Sequence, residues 1–178
     1  MAYELVNSNH VFSGRILDVI QDTIKLPNGK DAVREVVRHV NASAVVPVNE
    51  NGEIIFVRQY RHPAGEEILE IPAGTFNGDE ENPVDCAARE LEEETGYKTG
   101  KLTLLSSSYS SIGFCTEIIH IYAAENLTAG TQNLDPDEFV SIETYSLDEA
   151  VEMIFNGKIK DSKTIIGLLT YKEQLRKE

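Results

Sequence analysis

"ARELEEETGYK", residues 88–98, sets four glutamates in five positions behind a lone arginine and stops at a glycine. On a helix, Glu90, Glu93 and Glu94 fall at i, i+3 and i+4, with their side chains on one face about 5–6 Å apart. Leu91 then turns to the core and Glu92 to solvent. Like charges this close repel: at an effective dielectric near 20, a pair ~5 Å apart costs about 3 kcal/mol. A solvated face screened by salt is one reading. A cleft in which a hard divalent cation relieves the repulsion is the other, and oxygen-only ligands favour Mg²⁺, Ca²⁺ or Mn²⁺ over zinc. Arg89 is open in the same way, since spacing alone lets it pair with Asp85 or Glu93.

The helix has readable ends. Asn82 suits the N-cap, Pro83 the first helical position and Gly96 the C′ position, and Val84, Ala87, Ala88 and Leu91 make one apolar face. Upstream, VFSGRILDVIQDTIKL, the Asn-Gly turn of PNGK (27–30) and AVREVVRHV predict strands between residues 11 and 40. ASAVVPV (42–48) is a nearly continuous apolar run, expected to be buried on both faces. A turn at NENG (49–52) leads to the strand EIIFVRQYRH. Downstream come two strands, KLTLLSSSYS and EIIHIYAAE, then the polar loop AGTQNLDPDE (129–138) and a further strand, FVSIETYSL. Ser146 and Glu149 form a capping box for a helix ending at Gly157, and a last helix starts near Ser162. Strands, helix, strands, helices predict a mixed sheet covered by helices.

The stretch from Gly74 to Tyr97 resembles the box of the Nudix hydrolases, G-x5-E-x7-R-E-U-x-E-E-x-G-U, with U a bulky aliphatic residue. Here it reads Gly74, Glu80, Arg89, Glu90, Leu91, Glu93, Glu94, Gly96 and Tyr97. One extra residue lies between Glu80 and Arg89, so either Glu80 or Glu81 fills the acidic loop position. VRQYRHP (57–63), LEIPAG (69–74) and the loop ending DEFV (137–140) are similar to the ADP-ribose pyrophosphatase branch. The resemblance implies an α/β Nudix α/β/α sandwich around a mixed central sheet, with residues 41–178 as the Nudix domain. Residues 1–40 would form an N-terminal antiparallel β-subdomain that helps build a homodimer.

The same resemblance implies roles. Glu90, Glu93, Glu94 and the Ala73 carbonyl would hold Mg²⁺, with Mn²⁺ as a substitute. Arg89 would orient a carboxylate, and Glu93 would be a ligand or stand just behind one. Arg34, Arg61, Glu70 and Gly113 would bind substrate, although both arginines also read as strand-surface charge. A carboxylate of the loop, Asp135, Asp137 or Glu138, would be the general base, and Glu138 matches the position before F-V. The implied reaction is hydrolysis of ADP-ribose to AMP and ribose 5-phosphate. Alternatives are another nucleotide sugar such as GDP-mannose, or a catalytically silent nucleotide-binding regulator. SSIGF (110–114) bears on this choice: Ile112 stands where ADP-ribose-specific relatives carry proline, so a loop that proline would stiffen keeps its freedom.

Composition narrows the classes further. The 178 residues carry a net charge of −14, the wrong sign for general nucleic-acid binding. No apolar window is long enough to span a membrane, and MAYELVNSNHVF lacks the features of a signal peptide, so a cytoplasmic protein is expected. Cys86 and Cys115 cannot make a disulfide framework and read as reduced packing residues, and His62 and His120 as ordinary strand residues.

Overall fold

Asn28 and Gly29 turn the chain as their sequence demands, with Gly29 at φ +79°, in the left-handed region that glycine tolerates best. The turn joins β2 (Leu17–Lys25) to β3 (Asp31–His39), and β1 (Glu4–Ser13) pairs along the other edge of β2. Both pairings are antiparallel, with Glu4 opposite Lys25 and Leu17 opposite His39. The first strand begins at Glu4, earlier than residue 11 as patterning suggested. NSNH is polar and weak in β propensity, yet ladder hydrogen bonds to β2 carry it into the sheet.

The computed structural model describes residues 3–78, 80–136 and 138–177. The chain divides into two units, Met1–Asn41 with Tyr109–Ile118, and Ala42–Ser108 with Ile119–Glu178. The excursion at 109–118 is attached to the first unit by its backbone. Val37 N–H donates to the Phe114 carbonyl at 2.7 Å, and Thr116 N–H to the Val37 carbonyl at 3.0 Å.

The second unit holds β4 (Ala42–Pro47), β5 (Glu53–Arg61), β6 (Glu66–Glu70), β7 (Ala73–Thr75) and the acidic helix α1 (Pro83–Thr95). There follow β8 (Tyr97–Lys98), β9 (Leu102–Tyr109, its last residue counted with the first unit), β10 (Ile118–Ala124, its first residue likewise), β11 (Thr128–Ala129) and β12 (Ser141–Ser146). Helices α2 (Leu147–Phe155) and α3 (Ser162–Leu175) complete it. One sheet has the order β7-β4-β10-β9 and another β12-β5-β6. The first is mixed: β10 runs parallel to β4, while β7 runs antiparallel to it.

Strand β4 shows why the layers stack as they do. Every residue of it is buried, and alternate side chains serve opposite faces. Ala44 and Val46 join Ile71, Ile121 and Leu168 of α3 in one apolar cluster, while Val45 joins Ala87 and Leu91 of α1 and Tyr122 in the other. The sheet is therefore sandwiched between α1 and α3, an α/β/α arrangement. The caps read from the sequence are in place. Asn82 accepts from the Val84 and Asp85 N–H groups, Gly96 ends α1 in the left-handed conformation, and Ser146 and Glu149 cap α2 reciprocally. Among the described residues, no helix is long and apolar enough to cross a membrane.

Candidate active site

The acidic helix does not float on the surface. Ser43 Oγ of β4 donates to the Pro83 carbonyl at 2.7 Å and fixes its first turn, and Ala87 and Leu91 anchor its inner face. That rotation sends Glu90 and Glu94 inward. Glu90 is 9% exposed and Glu94 2%, whereas Glu92 and Glu93 are half-exposed. The solvated-face reading therefore fails for Glu90 and Glu94.

Gly74 leaves the room that Glu90 fills. A Cβ on Gly74 would lie 2.1 Å from Glu90 Oε1, so a larger residue there would push this carboxylate aside. The neighbouring Ala73 N–H donates to Glu94 Oε2 at 3.0 Å. Helix α1 and strand β7 thus press two carboxylates against one turn of backbone.

Arg89 organises the rest. Its Nε and Nη2 grip Glu81 at 2.8 and 3.0 Å, and Nη1 donates to Glu90 Oε1 at 2.5 Å and Glu93 Oε2 at 2.9 Å. Nη2 also donates to the Thr75 carbonyl at 2.9 Å. The acidic residue at the end of the glycine loop is therefore Glu81, while Glu80 is exposed. Of the two partners that spacing offered Arg89, Glu93 is taken, and Asp85 instead accepts from Asn82.

Burial pushes the Glu90 carboxyl up to about 7, against the pull of Arg89. Burial likewise lifts Glu94 to about 8, with Glu90 and Glu138 adding repulsion against the Ala73 N–H and Arg61. Glu138 raises both pKa values, so the loop carboxylate stands within electrostatic range of the helix pair. Two buried carboxylates that resist ionisation beside a third are what a bound cation would correct. The donors on hand, Glu90, Glu94 and the Ala73 carbonyl, are all hard oxygens, which fits Mg²⁺ or Mn²⁺ chemistry. Among the described residues, no three acidic, His or Cys side chains already stand in a metal-holding group, and Glu93 is turned to Arg89.

The loop after β11 closes over the end of α1. Gln132 Nε2 donates to the Glu94 carbonyl at 2.7 Å, and Asn133 N–H to the Glu93 carbonyl at 2.9 Å, satisfying carbonyls the helix end leaves open. These two residues gave no signal in the sequence beyond lying in a long polar loop. Glu138 is half-buried and accepts from the Asp135 N–H at 3.2 Å. Asp135 is exposed, and Asp137 lies outside the described residues.

Arg61 and Glu70 meet as a forked pair, Nε to Oε1 at 2.7 Å and Nη2 to Oε2 at 2.8 Å. Burial raises the Glu70 pKa, but the opposing pull of Arg61 and Lys163 is greater, and it stays below the usual carboxylate range. Glu70 is thus spoken for by protein cations. Arg34 and Gly113 belong to the first unit, where they line a cavity of about 480 Å³ with Tyr109, Ile112 and Phe114. Cys86 is fully buried and its thiol is pushed up to about 11, as suits packing and not attack. His120 stacks on Phe76 with ring centroids 6.0 Å apart, and burial lowers its pKa.

A family profile described as the NUDIX domain matches residues 37–166. An ADP-ribose pyrophosphatase of Bacillus subtilis (strain 168) is 41% identical over 175 residues, 96% of this chain and 94% of the relative. A methanol dehydrogenase activator of Bacillus methanolicus is 42% identical over 165 residues, 92% of this chain and 89% of the relative. A solved structure described as an ADP compounds hydrolase superposes with a TM-score of 0.90 at 21% identity, over 99% of this chain and 96% of that one. That last likeness shows the fold. The chain belongs to the Nudix hydrolase family.

Proposed function

We propose that the chain hydrolyses the pyrophosphate bond of a nucleoside diphosphate linked to a second group, with ADP-ribose the foremost substrate. Water adds to one phosphorus, the bridging P–O bond breaks, and AMP and ribose 5-phosphate leave. The observation that carries this reading is the buried pair Glu90 and Glu94, set against Ala73 and Gly74 with Glu138 within range. A divalent cation held by Glu90, Glu94 and the Ala73 carbonyl, Mg²⁺ with Mn²⁺ as substitute, would neutralise charge on the pyrophosphate. Arg89 keeps the glycine loop and the carboxylates in register through Glu81, Glu93 and the Thr75 carbonyl. Glu138 takes the proton of the attacking water, from a loop tied to α1 at residues 132 and 133. Arg61 meets a phosphate oxygen, a task for which a guanidinium fork is suited.

A second substrate reading rests on Ile112. It is 73% exposed beside the cavity that holds Arg34 and Gly113, and it stands where ADP-ribose-specific relatives carry proline, which leaves another nucleotide sugar such as GDP-mannose as the alternative substrate. A silent regulatory domain is disfavoured, because Glu90, Glu93 and Glu94 are all retained. The chain also pairs with a second copy of itself. Leu5, Val6, Val11, Phe12 and Val33 of the first unit's sheet are each at least half exposed, apolar surface that a second copy would cover. Sedimentation of a dimer at micromolar concentration supports that pairing, and a fully active monomer removes it. For substrate, a panel of ADP-ribose, GDP-mannose, UDP-sugars and dinucleotides with Mg²⁺ is assayed for released AMP, GMP or UMP. ADP-ribose is expected to lead; a tenfold higher kcat/KM for another member transfers the assignment to that compound.

A further inference from the structure

Lys163 lies in no motif that the sequence presents, and on a surface helix a lysine ordinarily faces water. Here its side chain is only 11% exposed. A lysine this sequestered needs anionic partners. It has two, donating to Glu70 Oε2 and lying 3.1 Å from Asp161 Oδ2. Glu70 is 2% exposed and accepts at the same time from Nε and Nη2 of Arg61. Contacts therefore run without a break from the cap of α3, through Lys163 and Glu70, to the guanidinium at the end of β5. The start of α3 is itself fastened to the strand side. Thr164 Oγ1 accepts from the Ile71 N–H at 2.9 Å and donates to Asp161 Oδ2 at 2.6 Å.

Two simpler roles account for less of this. As a direct substrate ligand, Lys163 would need its ammonium open, yet it is buried against two carboxylates. As a stabiliser, it shares with Arg61 the neutralisation of Glu70, a role that would show in melting and not in KM. What Lys163 adds is orientation. With a second cation on Oε2, the carboxylate plane cannot turn about its bond, and the guanidinium that mirrors that plane cannot turn either. Nε and Nη2 are committed to Glu70, which leaves Nη1 as the edge that Arg61 offers to a ligand.

We propose that Lys163 is a positioning residue which, through Glu70, fixes the guanidinium of Arg61 so that Nη1 meets a phosphate oxygen of the substrate. This rests on the pyrophosphate-hydrolase reading above. A contact made alike in the ground and transition states lowers KM and leaves kcat, so its loss reads out in KM. The test is steady-state kinetics with the best substrate of the panel for the wild type, K163M, K163R, R61A and K163M/R61A. Melting curves confirm that each is folded, and K163Q replaces K163M if the latter does not fold. K163M is expected to raise KM by about tenfold with kcat within about twofold, and K163R to recover most of the loss. In the R61A background, K163M should change KM by less than about twofold, because its effect passes through Arg61. An unchanged KM in folded K163M overturns the proposal, as does an effect additive with R61A. A wild type that cleaves no member of the panel overturns the hydrolase reading and this proposal together; an active wild type beside an unaffected K163M overturns this proposal alone.

Discussion

Glu138 has the exposure and the neighbours expected of a general base held in reserve. It is half-buried, it already raises the pKa values of Glu90 and Glu94, and its own hydrogen bond, from the Asp135 N–H at 3.2 Å, is a weak one. Glu138→Gln keeps size and polarity but removes the basic oxygen. It should lower kcat by roughly 10²–10⁴ with little change in KM, measured at saturating Mg²⁺. An unchanged kcat would reduce the loop to substrate enclosure. At this scale the sequence was informative wherever a residue's partners lie close along the chain. Arg89, Glu90, Glu93 and Glu94 are one helix turn apart, and their shared face could be read from spacing. The choice between Glu80 and Glu81 could not, because a one-residue insertion in a loop leaves both within reach of Arg89. Only the fold shows which one the guanidinium grips. Lys163 was invisible for the same reason: its partner Glu70 is a distant residue, at the end of β6.

Helix α3 illustrates how packing overrides local preference. Gly167 sits in the interior of this helix, where alanine is ordinarily better by about 1 kcal/mol. A Cβ there would come within 2.9 Å of Val46 Cγ2, 3.1 Å of Ile71 Cδ1 and 3.2 Å of Ile121 Cγ2, all from buried side chains. Overpacking of that kind costs about 1–3 kcal/mol, so the clash should exceed the helical gain. Gly167→Ala is therefore expected to lower the melting temperature, and a higher one would show that the sheet face yields easily. Element ends were legible: Asn82, Pro83 and Gly96 delimit α1, and Ser146 with Glu149 starts α2, because caps are local chemistry. The affiliation of residues 109–118 was not, since it depends on hydrogen bonds between Val37 and a segment more than seventy residues away. Nor was the early start of β1, where a polar stretch is recruited by its neighbour's ladder.

Across the whole molecule, the acidic site sets how stability follows pH. Glu90 and Glu94 have folded pKa values of about 7 and about 8, raised from 4.5 first by burial, so the folded state binds protons that the unfolded state releases. Their contribution is complete below pH 4.5 and is lost as pH rises through 7 and 8. Glu81, with its pKa lowered chiefly by its bonds to Arg89, works in the opposite sense and loses its contribution as pH falls below 4.5. Without divalent cations, the melting temperature should therefore drop between pH 5 and pH 8. Millimolar Mg²⁺ should recover most of that drop, since a ligand that binds only the folded state stabilises it. A melting temperature that stays level from pH 5 to 8, or one indifferent to Mg²⁺ at pH 8, would mean that burial does not hold these carboxylates protonated. The most direct measurement of the central claim follows products from ADP-ribose with Mg²⁺, for the wild type and for Glu90→Gln/Glu94→Gln. The wild type should release AMP and ribose 5-phosphate in equal amounts, and the folded double variant should be slower by at least about 100-fold. A wild type that releases neither product from any nucleoside diphosphate derivative, or a double variant as fast as the wild type, would contradict it.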